Sequence, residues 1–175
     1  MTSHHADDNA RLFFALWPDE HVRNALVDLQ SRWTWPQGAA KVARERLHMT
    51  LHFLGDQPRA GLSELADAAE VVFTAFELTL VEAGLWSSHG VAWVRASVAP
   101  APLLELHANL DRALEGLGLP TEKRRFEPHV TLARRAMRAK APECVAPIPW
   151  RVAGFALVES ERRPPVRYRV LREYR

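Results

Sequence analysis

One short pattern, His-x-Thr-Leu, occurs twice in this chain, and each copy closes a segment with the same predicted order of strand, helix and strand. The copies are His48-Met49-Thr50-Leu51 and His129-Val130-Thr131-Leu132. Their distances from the preceding strand also match, because 36 residues separate Leu12 from His48 and 37 separate Ala92 from His129. A repeat of this length limits the chain to folds built from two similar halves.

Patterns of apolar residues predict the elements of both halves. Short apolar or alternating runs typical of strands lie at residues 11–17, 47–54, 76–81, 91–98, 128–133, 152–159 and 167–171. Apolar residues at helical spacing lie at residues 20–33, 58–76 and 100–117. The Gly55-Asp56 pair is expected to end the strand at 47–54. Since no linker or low-complexity segment divides the chain, we expect the halves to pack as lobes of one compact unit, a single domain over residues 1–175.

Strand geometry predicts which side chains of the two motifs lie together. Successive side chains of a strand point to opposite faces, so His48 and Thr50 share one face, as do His129 and Thr131. The opposite face of the first motif strand carries the apolar residues Met49, Leu51 and Phe53. The same alternation puts His52 on the motif face, where it could line a pocket, although a passive role is the better expectation.

Two imidazoles and two hydroxyls on rigid strands can move protons and bind phosphate oxygens. Histidine has an ordinary pKa of about 6.5, so one imidazole of a pair can act as a base while the other acts as an acid. That division suits phosphodiester hydrolysis, in which one histidine takes a proton from water and the other gives one to the leaving oxygen. The threonine hydroxyls would stabilise charge on the remaining oxygens. A strained cyclic phosphate is an apt substrate, because its opening needs no strong Lewis acid.

Other interpretations of these histidines are weaker. A single His-x-Thr on a strand is more often structural, but two copies at matched positions favour catalysis. His48 and His52 are four residues apart, which on a helix would suit zinc. The segment is predicted to be a strand, however, and it lacks the glutamate that follows the first histidine of such motifs. We therefore predict no metal at this site.

Charge is distributed unevenly along the chain. The net charge is +2, yet residues 122–140 carry seven basic side chains against two acidic ones, and residues 161–175 carry six arginines against two glutamates. His129 lies in the first of these segments, so a basic surface next to it predicts a polyanionic ligand. The single cysteine, Cys144, excludes an intrachain disulfide. No apolar run reaches the roughly 20 residues needed to span a bilayer, and the polar start of the chain predicts a cytoplasmic protein.

The motifs and their flanking segments resemble those of the two-histidine (2H) phosphoesterase superfamily, in particular its RNA 2′,3′-cyclic phosphodiesterase branch, also described as 2′-5′ RNA ligases. The resemblance extends over nearly the whole chain and is carried by the segments RLFFALWP, LHMTLHFLGD, GLWSSHGVAWV and RFEPHVTLAR. It implies an α+β fold of two similar lobes, each an antiparallel sheet with outer helices, related by a pseudo-twofold axis around a central cleft.

The resemblance also implies roles for particular residues. His48, Thr50, His129 and Thr131 match the family motifs, with His129 as the base and His48 as the acid. Arg134 matches a basic residue that can contact phosphate, although strict alternation puts it on the face opposite His129. Aromatic residues that could stack on a base, but for which core packing is the better expectation, are Phe13, Phe14, Trp86 and Tyr168.

The sequence therefore predicts a cofactor-free hydrolase that opens the 2′,3′-cyclic phosphate of RNA ends, or of small nucleotides, to a 2′-phosphate. The expected partner is RNA, with no membrane contact, and the expected state is a monomer. Two alternatives remain open. The same acid and base could join RNA ends in the reverse direction to make a 2′-5′ linkage, or the basic cleft could bind RNA without turnover.

Overall fold

The computed structural model describes residues 8–161 and 164–175. The first seven residues, on which part of the expectation about location depends, and Arg162 and Arg163 of the basic C-terminal segment lie outside the described residues. The strands are β1 (Asn9–Leu16), β2 (Ala40–Lys41), β3 (Met49–Pro58), β4 (Phe76–Leu80), β5 (Glu82–Trp86), β6 (Val91–Arg95), β7 (Val130–Arg134), β8 (Ile148–Val152), β9 (Phe155–Glu161) and β10 (Arg167–Tyr174). The helices are α1 (Glu20–Ser31), α2 (Leu62–Ala68) and α3 (Ala101–Gly116), with 3₁₀ turns at Arg44–Arg46 and Arg59–Gly61.

Antiparallel pairing joins most of these strands into one sheet, in the order β10-β9-β1-β3-β7-β6-β5, with β2 paired to β7. Strands β4 and β8 form a separate two-stranded sheet. The α+β class predicted from the sequence is therefore confirmed. Strands β5 and β6 form an antiparallel hairpin around Ser87 and Ser88.

A pseudo-twofold axis passes through the middle of the large sheet. Strands β3 and β7 meet at the antiparallel pair of Met49 and Val130, the middle residues of the two motifs. On either side, Ala15 of β1 lies opposite Thr50, and Trp93 of β6 lies opposite Thr131. The duplication is thus real, but its alignment differs from the one the sequence suggested. Phe14, and not Leu12, is the counterpart of Ala92, so the corresponding distances are 34 and 37 residues.

Each motif strand contains an extra residue directly after its threonine. Along β3, Thr50 and His52 face consecutive residues of β1, which leaves Leu51 as a bulge. Along β7, Thr131 and Ala133 face consecutive residues of β6, which leaves Leu132 as the equivalent bulge. A bulge of one residue reverses the alternation of side chains beyond it. The faces predicted for residues after each threonine are therefore exchanged.

The helices cross between the halves. The first half supplies α1, which begins at the N-cap Asp19, whose carboxylate accepts a 2.9 Å hydrogen bond from the Val22 amide. Further along α1, the Gln30 amide donates to the Leu132 carbonyl of β7 at 2.7 Å. The second half supplies α3, where the His107 carbonyl lies 3.0 Å from Nε2 of His52 on β3. Each half thus supports the motif strand of the other half from the side opposite the cleft.

Several predicted boundaries differ from the structure. The strand predicted over 152–159 falls across the break between β8 and β9. The Gly55-Asp56 pair does not end the strand, because Gly55 takes a positive φ of 67° inside β3 and still pairs with Leu12. A second bulge at Leu54 precedes it. The long helix predicted over 58–76 is shorter, since α2 spans only Leu62–Ala68. Among the described residues, no helix has the length and apolar character needed to cross a bilayer.

Candidate functional site

His48 lies just before β3, and both of its ring nitrogens have partners. Nδ1 lies 2.6 Å from the carbonyl oxygen of Arg46, at the end of the 3₁₀ turn. Because a carbonyl can only accept, this contact places the proton of the neutral ring on Nδ1. Nε2 lies 3.0 Å from the Thr50 hydroxyl. The nitrogen that can give or take a proton is therefore held beside the hydroxyl of its own motif.

His129 repeats the backbone contact of His48. Its Nδ1 lies 2.7 Å from the carbonyl oxygen of Glu127, again two residues earlier in the chain. Because this carbonyl too can only accept, the proton of the neutral ring lies on Nδ1 and Nε2 is left to give or take a proton. Two histidines in the same tautomer, each fixed by the backbone two residues upstream, are preorganised for proton transfer.

All four motif side chains line one cleft of about 150 Å³. With Met49 opposite Val130, the antiparallel register places His48 nearest Thr131 and His129 nearest Thr50. The cleft has room for about five waters, which is the scale of a phosphate group with part of its sugar. The remaining residues that line it are Ala40, Lys41, Val42, Arg46, Arg134 and Tyr168. The structure thus brings the predicted site residues together beside three cationic side chains.

Arg134 reaches this cleft because of the bulge at Leu132. Alternation alone would have put it on the face opposite His129, but the extra residue returns it to the motif face. Its side chain is exposed, and its positive charge lowers the pKa of both histidines. The doubt that strand parity cast on Arg134 is therefore removed, and the residue is placed to attract an anion.

The equivalent bulge at Leu51 turns His52 away from the cleft, so the prediction that His52 shares a face with His48 and Thr50 is wrong. Beyond the bulge at Leu51, His52 points toward α3, is 4% exposed, and stacks on His107 with ring centroids 4.1 Å apart. His48 and His52 consequently lie on opposite faces and form no zinc pair. Over residues 8–161 and 164–175, no group of three or more His, Cys, Asp or Glu side chains is placed to hold a metal ion.

Aromatic rings enclose His48. The ring centroids of Phe13, Tyr168 and Trp17 lie 4.9, 5.4 and 5.9 Å from its own, and the Trp17 ring is stacked at 23°. Burial among these rings lowers the pKa of His48 to about 4, since it penalises the charged imidazole. The hydrogen bond to Arg46 opposes this effect, and the charges of Arg134, His129 and Arg23 add to it.

His129 has a different neighbourhood. One ring, that of Trp86, meets it edge-on at 4.6 Å. Burial lowers the pKa of His129 as well, the hydrogen bond to Glu127 raises it, and the positive charges of Arg134 and Arg95 lower it further. Arg95 itself is paired with Glu82 at 3.1 Å and lies over the ring of Trp93. The lowered pKa values therefore favour the neutral form of both histidines at pH 7.

The aromatic candidates separate in the structure. Phe13, Trp86 and Tyr168 contact the site histidines, whereas Phe14 is fully buried in the main core. Phe53 is an aromatic residue of the cleft face that was not among these candidates. The bulge at Leu51 turns Phe53 onto the motif face of β3, at the position equivalent to Arg134, where it is 56% exposed with the Arg11 guanidinium 4.8 Å from its ring.

Sequence reasoning also missed Lys41, Arg46 and Trp17. Lys41 and Arg46 precede the first motif in a segment where no regular pattern was visible. Lys41 reaches the cleft because β2 pairs with β7, and Arg46 lines it from the end of the 3₁₀ turn that precedes His48. Trp17 was assigned to the apolar strand alone. A detectable signal was its place at the end of that strand, since strands paired antiparallel bring the end of one beside the start of the other.

Known proteins share this fold and sequence pattern. A family model described as the 2′-5′ RNA ligase superfamily matches residues 18–169. The RNA 2′,3′-cyclic phosphodiesterase of Thermus thermophilus is 35% identical over 94% of this chain and 89% of its own length. The RNA 2′,3′-cyclic phosphodiesterase of Escherichia coli is 33% identical over 74% of both chains.

Solved structures agree. The crystal structure of E. coli LigT complexed with 3′-AMP superposes with a TM-score of 0.87 at 29% identity, and covers 95% of this chain and 97% of LigT. A LigT structure complexed with phosphate has a TM-score of 0.83 at 28% identity over the same shares of the two chains. A crystal structure of a Thermus thermophilus protein has a TM-score of 0.76 at 34% identity, covering 94% of this chain and 96% of the other.

Proposed function

This chain belongs to the 2′-5′ RNA ligase superfamily, and from that premise we propose that it is an RNA 2′,3′-cyclic phosphodiesterase, a hydrolase that opens a terminal cyclic phosphate to a 2′-phosphate. The observation that carries the proposal is the pair of His-x-Thr units at one cleft, each with its imidazole held by a backbone carbonyl. Relatives that match this chain over most of their own length carry that activity in their names.

The four motif side chains divide the reaction between them. The neutral imidazole of His129 takes a proton from water as the water oxygen attacks phosphorus. His48, in its protonated form, gives a proton to the departing 3′ oxygen as the ring opens. This is the order that the family resemblance implies, with His129 as base and His48 as acid. Thr50 and Thr131 donate hydrogen bonds to the non-bridging oxygens, which gain charge in the transition state.

The acid needs a proton that burial of its ring disfavours. A bound phosphodiester brings a negative charge to both imidazoles and offsets the effect of burial on their pKa values. Arg134, Arg46 and Lys41 at the rim attract that anion. His48 therefore takes up its proton when the negatively charged substrate binds. Before that, the cationic rim helps to keep both histidines neutral while it attracts the anion.

Small size favours a nucleotide end over a folded duplex at the reacting centre. A cleft of about 150 Å³ holds the cyclic phosphate, and the sugar and base extend outward over the aromatic face that includes Tyr168 and Phe53. The proposed substrates are RNA ends and small cyclic nucleotides, and the proposed reaction uses no cofactor. The protein acts as a monomer of one domain in the cytoplasm.

Joining of RNA ends is the second candidate function. A 5′ hydroxyl could replace water as the nucleophile, because the same base and acid serve both directions. The family name favours this activity only as a class. Water at its far higher concentration favours hydrolysis.

The deciding experiment incubates purified protein in excess chelator with an oligonucleotide ending in a 2′,3′-cyclic phosphate. The products are resolved as 2′-phosphate, 3′-phosphate and 2′-5′-linked dimer. We expect the 2′-phosphate, and we expect no turnover from the His48→Ala, His129→Ala double variant. A protein that binds the RNA equally well with and without both histidines, and never opens the ring, would instead be a binding module.

A further inference from the structure

Arg23, the fourth residue of α1, is a buried cation whose role the proposed reaction leaves unexplained. It is 8% exposed, and burial lowers its pKa, with Arg44 adding to that effect and Glu45 and Asp19 opposing it. Among the described residues, no carboxylate lies within salt-bridge distance of it. A buried charge that no carboxylate contacts directly is costly, so the neighbours of Arg23 should show what the residue provides.

Three contacts fix the guanidinium. Nε donates to the Pro18 carbonyl at 2.9 Å and Nη1 donates to the Arg44 carbonyl at 3.0 Å. The group lies over the Trp17 ring, with its central carbon 4.9 Å from the ring centroid. A planar fork that binds two carbonyls and also covers an aromatic face is specific to arginine, since lysine offers a single point charge.

Two chains of contacts connect Arg23 to His48. The first runs through the ring that Arg23 covers, because Trp17 stacks on the imidazole of His48 at 5.9 Å and 23°. The second runs through the backbone. The Arg44 carbonyl, which accepts from Arg23, begins the 3₁₀ turn Arg44–Arg46. The Arg46 carbonyl at the end of this turn accepts a 2.6 Å hydrogen bond from Nδ1 of His48.

We propose that Arg23 is a positioning residue for His48, which clamps Trp17 against the imidazole and holds the 3₁₀ turn whose carbonyl fixes the tautomer. Arg23 is absent from the residues that line the cleft, so it acts on substrate only through His48. Its positive charge also disfavours a second cation on the ring of His48. This inference rests on the proposed function in one respect only, that His48 transfers a proton.

Other charged or titratable groups surround His48 and must stay unchanged in a test. From the turn, the strands and the cleft rim they are Arg46, Lys41, His129, Arg134 and Tyr168. Substitution of Arg23 leaves all five in place. A shift in the titration of His48 would therefore report the loss of Arg23 and the loosening of Trp17.

The experiment compares Arg23→Met, Arg23→Lys and the control Arg32→Met, which removes an exposed arginine at the other end of α1. We expect Arg23→Met to lower kcat about tenfold to a hundredfold with KM within twofold, and to raise the pKa of His48 measured by NMR titration of its ring protons. Arg23→Lys keeps a charge without the fork, so kcat should fall while the pKa of His48 stays low. Arg32→Met should match the wild type in both.

The proposal is overturned if kcat of both Arg23 variants stays within twofold of the wild type, or if Arg32→Met lowers kcat as much as they do. Should Arg23→Met fail to fold, Arg23→Lys decides alone by the same criterion. If the wild type opens no cyclic phosphate, the proposed function fails, and the titration then decides. An unchanged His48 pKa in Arg23→Met would sink the positioning role, and a raised one would support it.

Discussion

The two motifs are nearly identical in sequence and backbone geometry, yet their surroundings differ. His48 is enclosed by Phe13, Trp17 and Tyr168, part of a small apolar cluster on the cleft face of β1, β9 and β10. His129 meets one ring edge-on, and the strands β5 and β6 on its side of the sheet carry the ion pair of Glu82 and Arg95. On that side Gly84 is required, because a Cβ at this position would collide with the Trp93 ring.

This difference means that three aromatic rings enclose His48 while one ring meets His129. A symmetric site would give both imidazoles the same pKa, so neither would be committed to acid or base. The rings of Phe13, Trp17 and Tyr168, here called the aromatic wall, desolvate His48 strongly. The resulting pKa of about 4 lies well below that of an ordinary histidine. Duplication thus supplied matched geometry, and divergence of the flanking strands gave the two rings different surroundings. Because a lowered pKa opposes protonation of His48, its role as the acid depends on the negative charge that a bound phosphodiester brings.

The largest expected effect comes from removing either histidine. His48→Ala and His129→Ala should each lower kcat about 10²- to 10⁴-fold on a natural cyclic phosphate. A substrate whose leaving oxygen is a nitrophenolate needs no acid, so the variant without the acid should recover most of its rate and the variant without the base should not. Recovery by His48→Ala alone supports the order proposed above. Recovery by His129→Ala alone would reverse it.

Removing the hydroxyl of Thr50 or of Thr131 tests whether the two motifs contribute equally, and we expect a smaller loss of kcat than removal of a histidine gives. Thr50→Val and Thr131→Val remove a hydroxyl while keeping the shape of the side chain, and each should lower kcat about a hundredfold if it binds a transition-state oxygen. Thr50 also lies 3.0 Å from Nε2 of His48, so its loss should in addition change the NMR titration of that ring. Equal rates for wild type and both variants would exclude the hydroxyls from the reaction.

The two bulges mark what the sequence could and could not predict. Periodicity identified the motif strands and the helices α1 and α3, because their apolar faces are regular. Alternation failed after Thr50 and Thr131, because a bulge depends on how the partner strand pairs and leaves no local mark in the residues Leu51 and Leu132. Its failure exchanged the faces of His52 and Phe53 and misplaced Arg134. The aromatic wall of His48 was hidden for a similar reason, since it joins residues more than a hundred positions apart.

The bulges make Arg134 and Phe53 equivalent in position and different in chemistry. Arg134→Met should raise KM about tenfold, with a weaker dependence of KM on salt, because one cation near the phosphate is lost. Phe53→Ala should raise KM by up to about tenfold, with the salt dependence unchanged, if the ring stacks on a base. Val72→Ala serves as a control, since this exposed residue is not among those that line the cleft and its carbonyl accepts a hydrogen bond from Asn109 of α3. The same salt response in both variants would contradict the division of roles.

The smallest expected effect is on stability. The folded-state pKa of His48, about 4, lies below its ordinary 6.5, so folding keeps this ring neutral where the unfolded chain would bind a proton. Its contribution to stability is fully present above about pH 6.5 and is lost as the pH falls toward 4. Denaturant melts at pH 7 and pH 4.5 should therefore show a smaller loss of unfolding free energy for His48→Gln than for the wild type. His129→Gln, the matched control in the less enclosed half, should reduce this loss of unfolding free energy by less than His48→Gln does. An equal reduction would mean that the aromatic wall does not distinguish the two histidines.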